Sequence, residues 1–253
     1  MTKQLPKSRL AVVASVICMV LAFSTEVSAA EGSTMGWSIT PYVWAPTTSV
    51  DLSLEDTNIG GEIDFKDIID TVDMAFMVHA EGGRGQWSAF VDLTYVDASD
   101  TNERALLSVD VRSKQIMLDT AVVWWPGGID APLSLFGGVR YTGFDDRYQF
   151  RSIADGTLLA SRDSDKDYYD VLFGLRYAHN FSDRWSLRGY GDASFGDSDG
   201  TFLLRALLAY TIGKQQQNRF VFGYQYKEMD FKDGELKTEL GLSGPVAGFE
   251  FRF

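Results

Sequence analysis

Two histidines, two aspartate tracts and a set of evenly spaced charges are the residues of this chain equipped for chemistry. His79 and His179 are its only histidines. As a general base, either would need a serine or a carboxylate within reach, and Glu81 stands two residues beyond His79. Asp163-Ser164-Asp165 and Asp197-Ser198-Asp199-Gly200 offer oxygen ligands of the kind calcium takes. The second tract begins like D-x-D-G but lacks the remaining ligands and the closing Glu of a calcium loop, so a solvated loop is expected. The third set is Glu81, Asp92, Asp119, Arg140, Asp170, Arg176, Arg188, Asp192, Arg205, Lys227, Glu250 and Arg252. Acids and bases balance within it, and most members sit between apolar neighbours. Charges enclosed in this way must pair, because an unpaired one costs several kcal/mol.

The elements that place these charges alternate with period two. In Gln86 to Asp97, Trp87, Ala89, Val91, Leu93 and Tyr95 fall on one face, and Ser88, Phe90, Asp92 and Thr94 on the other. That is a strand with one apolar face and one polar face. Similar alternation marks Trp37–Ala45, Met74–Gly82, Ile116–Trp124, Leu133–Thr142, Tyr169–Tyr177, Trp185–Phe195, Phe202–Tyr210, Phe220–Lys227 and Gly241–Phe253. Pro41 makes the first of these the weakest, since proline has no N–H for the ladder. The reading is about ten antiparallel strands, with eight or twelve as alternatives. Thr47–Val72, Ala98–Val111, Asp145–Asp167 and Lys232–Lys237 read as polar connections between them. Within the first, Phe65, Ile68, Ile69 and Val72 have helical spacing. A short helix capping or plugging the barrel mouth and an ordered piece of surface loop are equally good readings there.

The apolar face carries aromatics at its ends. Trp87 and Tyr95 are eight residues apart, roughly 20 Å of height at a barrel strand's rise and tilt. That is close to the apolar band of a membrane barrel. Trp37, Trp124, Tyr141, Tyr169, Tyr177, Trp185, Tyr210 and Tyr226 complete the expected girdles. The last strand alternates Phe253, Phe251, Phe249 and Ala247 against Arg252, Glu250, Gly248 and Val246, with an apolar face for lipid and a charged face for a lumen.

The N-terminus reads as an export signal. Lys3, Lys7 and Arg9 precede the apolar run Leu10–Phe23, and Val27-Ser28-Ala29 is a cleavage site of small residues. Residues 1–29 are thus expected to be a signal peptide and 30–253 one barrel domain. The lone cysteine, Cys18, lies in the signal, so no disulfide framework is expected. Cleavage removes three basic residues and Glu26 and takes the formal charge from −12 to −14. Such acidity argues against nucleic acid as a partner.

Four stretches resemble known proteins. W-x-I-x-P-Y-x-W at Trp37 to Trp44, IDFKDIID at Ile63 to Asp70 and W-x-x-F-V-D-L-x-Y at Trp87 to Tyr95 resemble a family of uncharacterised proteobacterial outer-membrane barrels. Gly248, Phe251 and Phe253 resemble the C-terminal insertion signal of such barrels, although Val246 stands where that signal usually has a polar residue. The resemblance implies the fold and no catalytic residues.

These readings converge on a transmembrane antiparallel up-and-down β-barrel in the bacterial outer membrane. Its expected partners are outer-membrane lipid, lipopolysaccharide and, during insertion, the barrel-assembly machinery. Ten strands leave an interior near the filled end of the range, so a salt-bridged lumen is expected. In particular, Arg140 and Arg176 are expected to hold Asp119 and Asp170. The expected role is structural or surface-interacting, without cofactor, metal or catalysis. A small passive channel is the alternative, and a lipid-modifying or proteolytic barrel enzyme a second one. The histidines disfavour the enzyme, because His79 falls inward near the periplasmic end and His179 on the lipid-facing register, both far from the outer rim where such enzymes work.

Overall fold

The structure is a computed structural model that describes residues 36–253 apart from 55–56, 64–65, 67–68, 105–106, 129–130, 155, 214–217 and 234. The signal peptide expected over residues 1–29 lies outside the described residues, as do residues 65, 67 and 68 of the helix-spaced segment from Phe65 to Val72. Of the latter, Val72 opens a strand.

Twelve strands follow one another: β1 (Gly36–Trp44), β2 (Thr47–Leu54), β3 (Thr57–Ile63), β4 (Val72–Arg84), β5 (Trp87–Arg104), β6 (Leu107–Trp124), β7 (Leu133–Ser152), β8 (Leu158–Asn180), β9 (Trp185–Gly196), β10 (Gly200–Ile212), β11 (Asn218–Asp233) and β12 (Leu236–Arg252). β4 to β12 pair in sequence order and β1 joins β4 to β12. The result is a closed, antiparallel ten-stranded barrel with β2 and β3 as an extra hairpin. Closure leaves no sheet edge in the barrel wall, as lipid requires. Phe253 takes part in it, exchanging backbone hydrogen bonds with Trp37.

Pro41 does not reduce β1 to an edge strand. It partners Val78 of β4, while the register with β12 passes from Ile39↔Phe251 to Tyr42↔Gly248. β1 and β2 run along one strand: β12 pairs β1 through Val246–Arg252 and β2 through Leu236–Ser243. The break falls at Ala45-Pro46, where proline has no N–H to donate.

The connections expected to be polar loops are mostly strand. Thr47–Ile63 forms the β2–β3 hairpin, β5 and β6 stay paired to Arg104↔Leu107, and β7 and β8 stay paired to Arg151↔Leu158. β11 and β12 pair as far as Asp233↔Leu236, which replaces the expected Lys232–Lys237 link. At the other end the turns are short, and Gly85 at φ 66° takes the left-handed conformation that suits glycine in the β4–β5 turn.

The barrel is inside-out relative to a water-soluble protein. Val139, Val171, Phe173, Leu175 and Leu204 point outward and are about half exposed. Arg140 and Leu172 point inward and are fully enclosed. An apolar exterior around a polar interior is the membrane-barrel arrangement, and the chain is an integral outer-membrane β-barrel. Its spanning segments include 87–95 of β5, 116–124 of β6, 133–141 of β7, 169–177 of β8 and 220–226 of β11.

Candidate functional site

The inward-facing side chains meet in successive layers along the lumen. At the periplasmic end Trp125 donates from Nε1 to Ser88 (3.1 Å), and Ser88 donates to Glu81 (2.6 Å). Glu250 of β12 receives Arg188 of β9 (2.6 Å) and Arg219 of β11 (3.3 Å). Arg252 lies 3.5 Å from the same carboxylate and stays partly solvated at the mouth.

Above this floor lies an aromatic layer. Phe90 meets Phe136 edge-on at 5.4 Å, and Phe136 stacks on Tyr190 at 5.1 Å. Gly174 makes the stack possible, since a side chain there would overlap the Phe136 ring. The Arg176 guanidinium lies over Phe90 at 4.5 Å and Phe136 at 5.3 Å, the distances of cation–π contacts. One of its nitrogens reaches across the lumen to Glu81 (2.7 Å). Nε and Nη2 have no hydrogen-bond partner among the described residues. The aromatic faces account for their burial.

The central layer holds the enclosed charges. Arg140 binds both oxygens of Asp119, at 2.8 and 2.7 Å, in a bidentate fork. Its Nη1 lies 3.0 Å from Asp192 Oδ1. That second contact is an ion pair by distance without hydrogen-bond alignment, for Asp192 receives no aligned hydrogen bond among the described residues. His79 places Nδ1 3.0 Å from Asp92 and Nε2 3.5 Å from Glu81, and Tyr42 donates to Asp92 (2.6 Å). Arg205 donates from Nε to Gln225 (2.5 Å) and lies over the rings of Tyr42 and Tyr190. Lys227 donates to the Met117 sulfur across the barrel (3.1 Å).

Two details differ from the sequence reading. Asp170 is Arg140's cross-strand neighbour but is held by neither arginine. Its oxygens accept from the Ser198 N–H (3.0 Å) and hydroxyl (2.6 Å) and from Ser194 (3.3 Å). In the Asp197–Gly200 tract the two aspartates are exposed, as expected of a solvated loop, but Ser198 is buried and Asp197 accepts the Tyr169 N–H (3.0 Å). Arg176 takes Glu81 in place of Asp170.

The outward aromatics lie along the margins of the apolar band. Trp37, Trp87, Trp124, Tyr177, Trp185 and Tyr210 are at the periplasmic ends of their strands, and Tyr95, Tyr141, Tyr169 and Tyr226 near the outer margin. Trp185 packs on Tyr210 at 4.8 Å. Tyr141 is the exception in exposure. Ile116, Leu118 and Tyr169 cover it, and its hydroxyl donates to Asp167 (2.5 Å). In the closing strand Gly248 packs on Tyr42, and Phe251 and Phe253 remain exposed on the outer face.

The hairpins beyond the membrane carry a different chemistry. Asp97 is buried, which pushes its carboxyl pKa up, but a bidentate bond from Arg112 (3.1 and 2.8 Å) and Lys114 at 3.3 Å outweigh this and hold it below the ordinary value. Arg151 pairs with Asp110 and Arg147 with Asp163, each at 3.0 Å. On the opposite side Glu228, Asp230 and Glu239 bring one carboxylate oxygen each to within 4.8 Å of one another. Burial, then Glu239, Glu228 and Asp199, raise the Asp230 pKa. Asp230 and Glu239 border an open groove of about 710 Å³ whose walls include Asp51, Asp199, Lys232, Glu235 and Lys237. The sequence reading missed this cluster, and its signal was the pairing of Asp230 with Glu239 across β11 and β12.

No protein-family model and no curated protein matches the chain. Solved structures similar to it are outer-membrane barrels. The attachment invasion locus protein Ail of Yersinia pestis, solved with the heparin analogue sucrose octasulfate, aligns at 12% identity over 86% of this chain and 99% of its own, with a TM-score of 0.40. The outer-membrane protease OmpT of Escherichia coli aligns at 9% identity over 88% of this chain and 99% of its own, TM-score 0.45. Neisserial surface protein A aligns at 13% identity over 88% of this chain and 100% of its own, TM-score 0.29.

Proposed function

We propose that this barrel is a structural and surface-contact protein of the outer membrane, without catalysis, whose lumen is a closed charge core and whose working surface is its outer hairpins. One observation carries the reading. The chamber beside Lys227, midway along the lumen, has about 20 Å³, enough for about one water molecule and too small for a solute. The hairpins supply the contact surface. Leu158 lies eleven residues above Tyr169 on β8, roughly 25–30 Å beyond the outer girdle at a barrel strand's rise and tilt. Ile153, Leu158 and Leu159 are exposed there, far from the barrel's own lipid. Lipid and lipopolysaccharide would contact the apolar band and the rim above it, and the exposed Phe251 and Phe253 would be read by the assembly machinery.

Against catalysis stands the His79 environment. Both ring nitrogens face carboxylates, and Ser88 binds Glu81 and not the histidine. A passive channel is the second reading, and the chamber beside Lys227 is the feature that favours it. Planar-bilayer recording of the refolded protein decides between them. A closed core gives no unitary current steps, and reproducible steps would replace this proposal with the channel.

A further inference from the structure

We infer that the lumen chamber is a binding site for one internal water molecule, held between the Lys227 ammonium and the carboxylates of Asp92 and Asp119. The inference rests on the closed-lumen reading above.

Lys227 is 3% exposed and midway along the lumen. Its ammonium has three hydrogens to donate. Among the described residues its one hydrogen bond goes to the Met117 thioether, a weak acceptor, and it makes no ion pair. A lysine ammonium is compact and strongly hydrated, more so than a guanidinium, so stripping all its water without supplying an anion is expensive. Arg140 in the same layer has no such deficit, because Asp119 and Asp192 flank it.

The chamber lies beside Lys227. Tyr42, Asp92, Asp119, Arg205 and Gln225 also line it. A water molecule needs roughly 10–15 Å³ of such space and two to four polar partners, and about 20 Å³ provides one position and no second. Both signs of charge are present. Lys227 and Arg205 can donate to the water oxygen. Asp92 already accepts from Tyr42, and Asp119 from Arg140, but each carboxylate keeps lone pairs for the water's own hydrogens. Charge also selects the ligand. An anion would meet the two carboxylates and a cation the two basic groups, whereas a neutral donor–acceptor satisfies both.

The test is magnetic relaxation dispersion of water ¹⁷O on the refolded barrel, together with a crystal structure fine enough to show ordered solvent. The expected result is one long-lived water and one density peak within hydrogen-bond distance of Lys227 Nζ. Lys227→Met should lose both. Met117→Leu, which removes only the thioether and keeps the charge, should retain both, and it tests the site even if Lys227→Met does not fold. An empty chamber with no long-lived water, in a protein that conducts no current, would overturn the inference and leave the closed lumen standing. Many fast-exchanging waters with unitary conductance would overturn both. A bromide-soaked crystal with an anomalous peak in the chamber would show an anion there and overturn the choice of water.

Discussion

Two zones of the same strands obey opposite rules, and the change between them marks the membrane surface. On β7, Leu133, Leu135 and Val139 point outward below Tyr141, with Ser134 and Arg140 inward. Above it Asp145, Arg147 and Gln149 point outward, with Phe144, Tyr148 and Phe150 inward. On β11 the outward Phe220, Phe222, Tyr224 and Tyr226 give way to Glu228, Asp230 and Lys232, while Met229 and Phe231 turn inward. The ladder hydrogen bonds continue through the change. Only the surroundings differ. Lipid accepts the apolar face below, and water accepts the polar face above. The upper zone therefore packs like a soluble sandwich: Phe231 contacts Phe144 at 5.6 Å and Tyr168 at 4.6 Å, joining the β7–β8 wall to the β11–β12 wall.

The strongest way to break this contrast is in the lumen. Arg140→Ala strands Asp119 and leaves Asp192 beside no cation of its own, and breaking a buried pair typically costs about 3–5 kcal/mol. Urea unfolding followed by loss of heat-modifiability should show that drop. Exposed pairs set the contrast: Arg147 and Asp163 are both solvent-accessible, and Arg147→Ala should cost below about 1 kcal/mol.

The next test compares the two outer faces directly. Phe173→Arg puts a guanidinium midway between Tyr169 and Tyr177 on the outer face of β8, near the middle of the lipid band, at about 2–4 kcal/mol. Ser161→Arg puts it on the outer face of β8 above the girdle, where surface changes are usually within about 0.5 kcal/mol. Equal losses from the two would remove the membrane boundary drawn here. A smaller effect belongs to the sandwich joint. Phe231→Ala removes two aromatic contacts and should cost about 1–3 kcal/mol. Limited proteolysis of the outer hairpins should speed up while the barrel stays heat-modifiable.

The same contrast governs what could be read in the sequence. Where the outward face meets lipid, alternation is loud: Trp87 to Tyr95 and Phe220 to Tyr226 declare strand and face together. Above the membrane the alternation persists with its polarity inverted and its apolar residues thinned. Asp145–Asp167 and Thr47–Ile63 therefore read as loops although both are paired strand. In the lumen, partners on adjacent strands were legible, as Arg140 and Asp119 are direct neighbours. Arg176 with Glu81 and Arg188 with Glu250 were not. Those pairs cross the interior, and their meeting depends on barrel width and stagger, which no local spacing records. Asp170 went astray for another reason, since the β9–β10 turn supplies Ser198 as a nearer donor than either arginine.

The smallest expected effect lies at the outer rim and turns on pH. Burial, followed by Glu239, Glu228 and Asp199, raises Asp230 above the ordinary aspartate value of 3.8. A folded-state value above the unfolded one means the folded chain holds its proton more tightly. The penalty is absent below the ordinary value, grows as pH rises between the two values, and is complete above the raised one. Asp230 thus weakens the β11–β12 hairpin at neutral pH and ceases to do so in acid. Asp230→Asn should stabilise the rim slightly at pH 7, by a few tenths of a kcal/mol for a solvated group, and should flatten the dependence on pH. Proteolytic cleavage near Lys232 and Lys237, compared between neutral and mildly acidic buffers with the conditions corrected for protease activity, reads the effect. If the parent and Asp230→Asn open equally at pH 7 and respond equally to acid, the carboxylates at the rim do not repel one another.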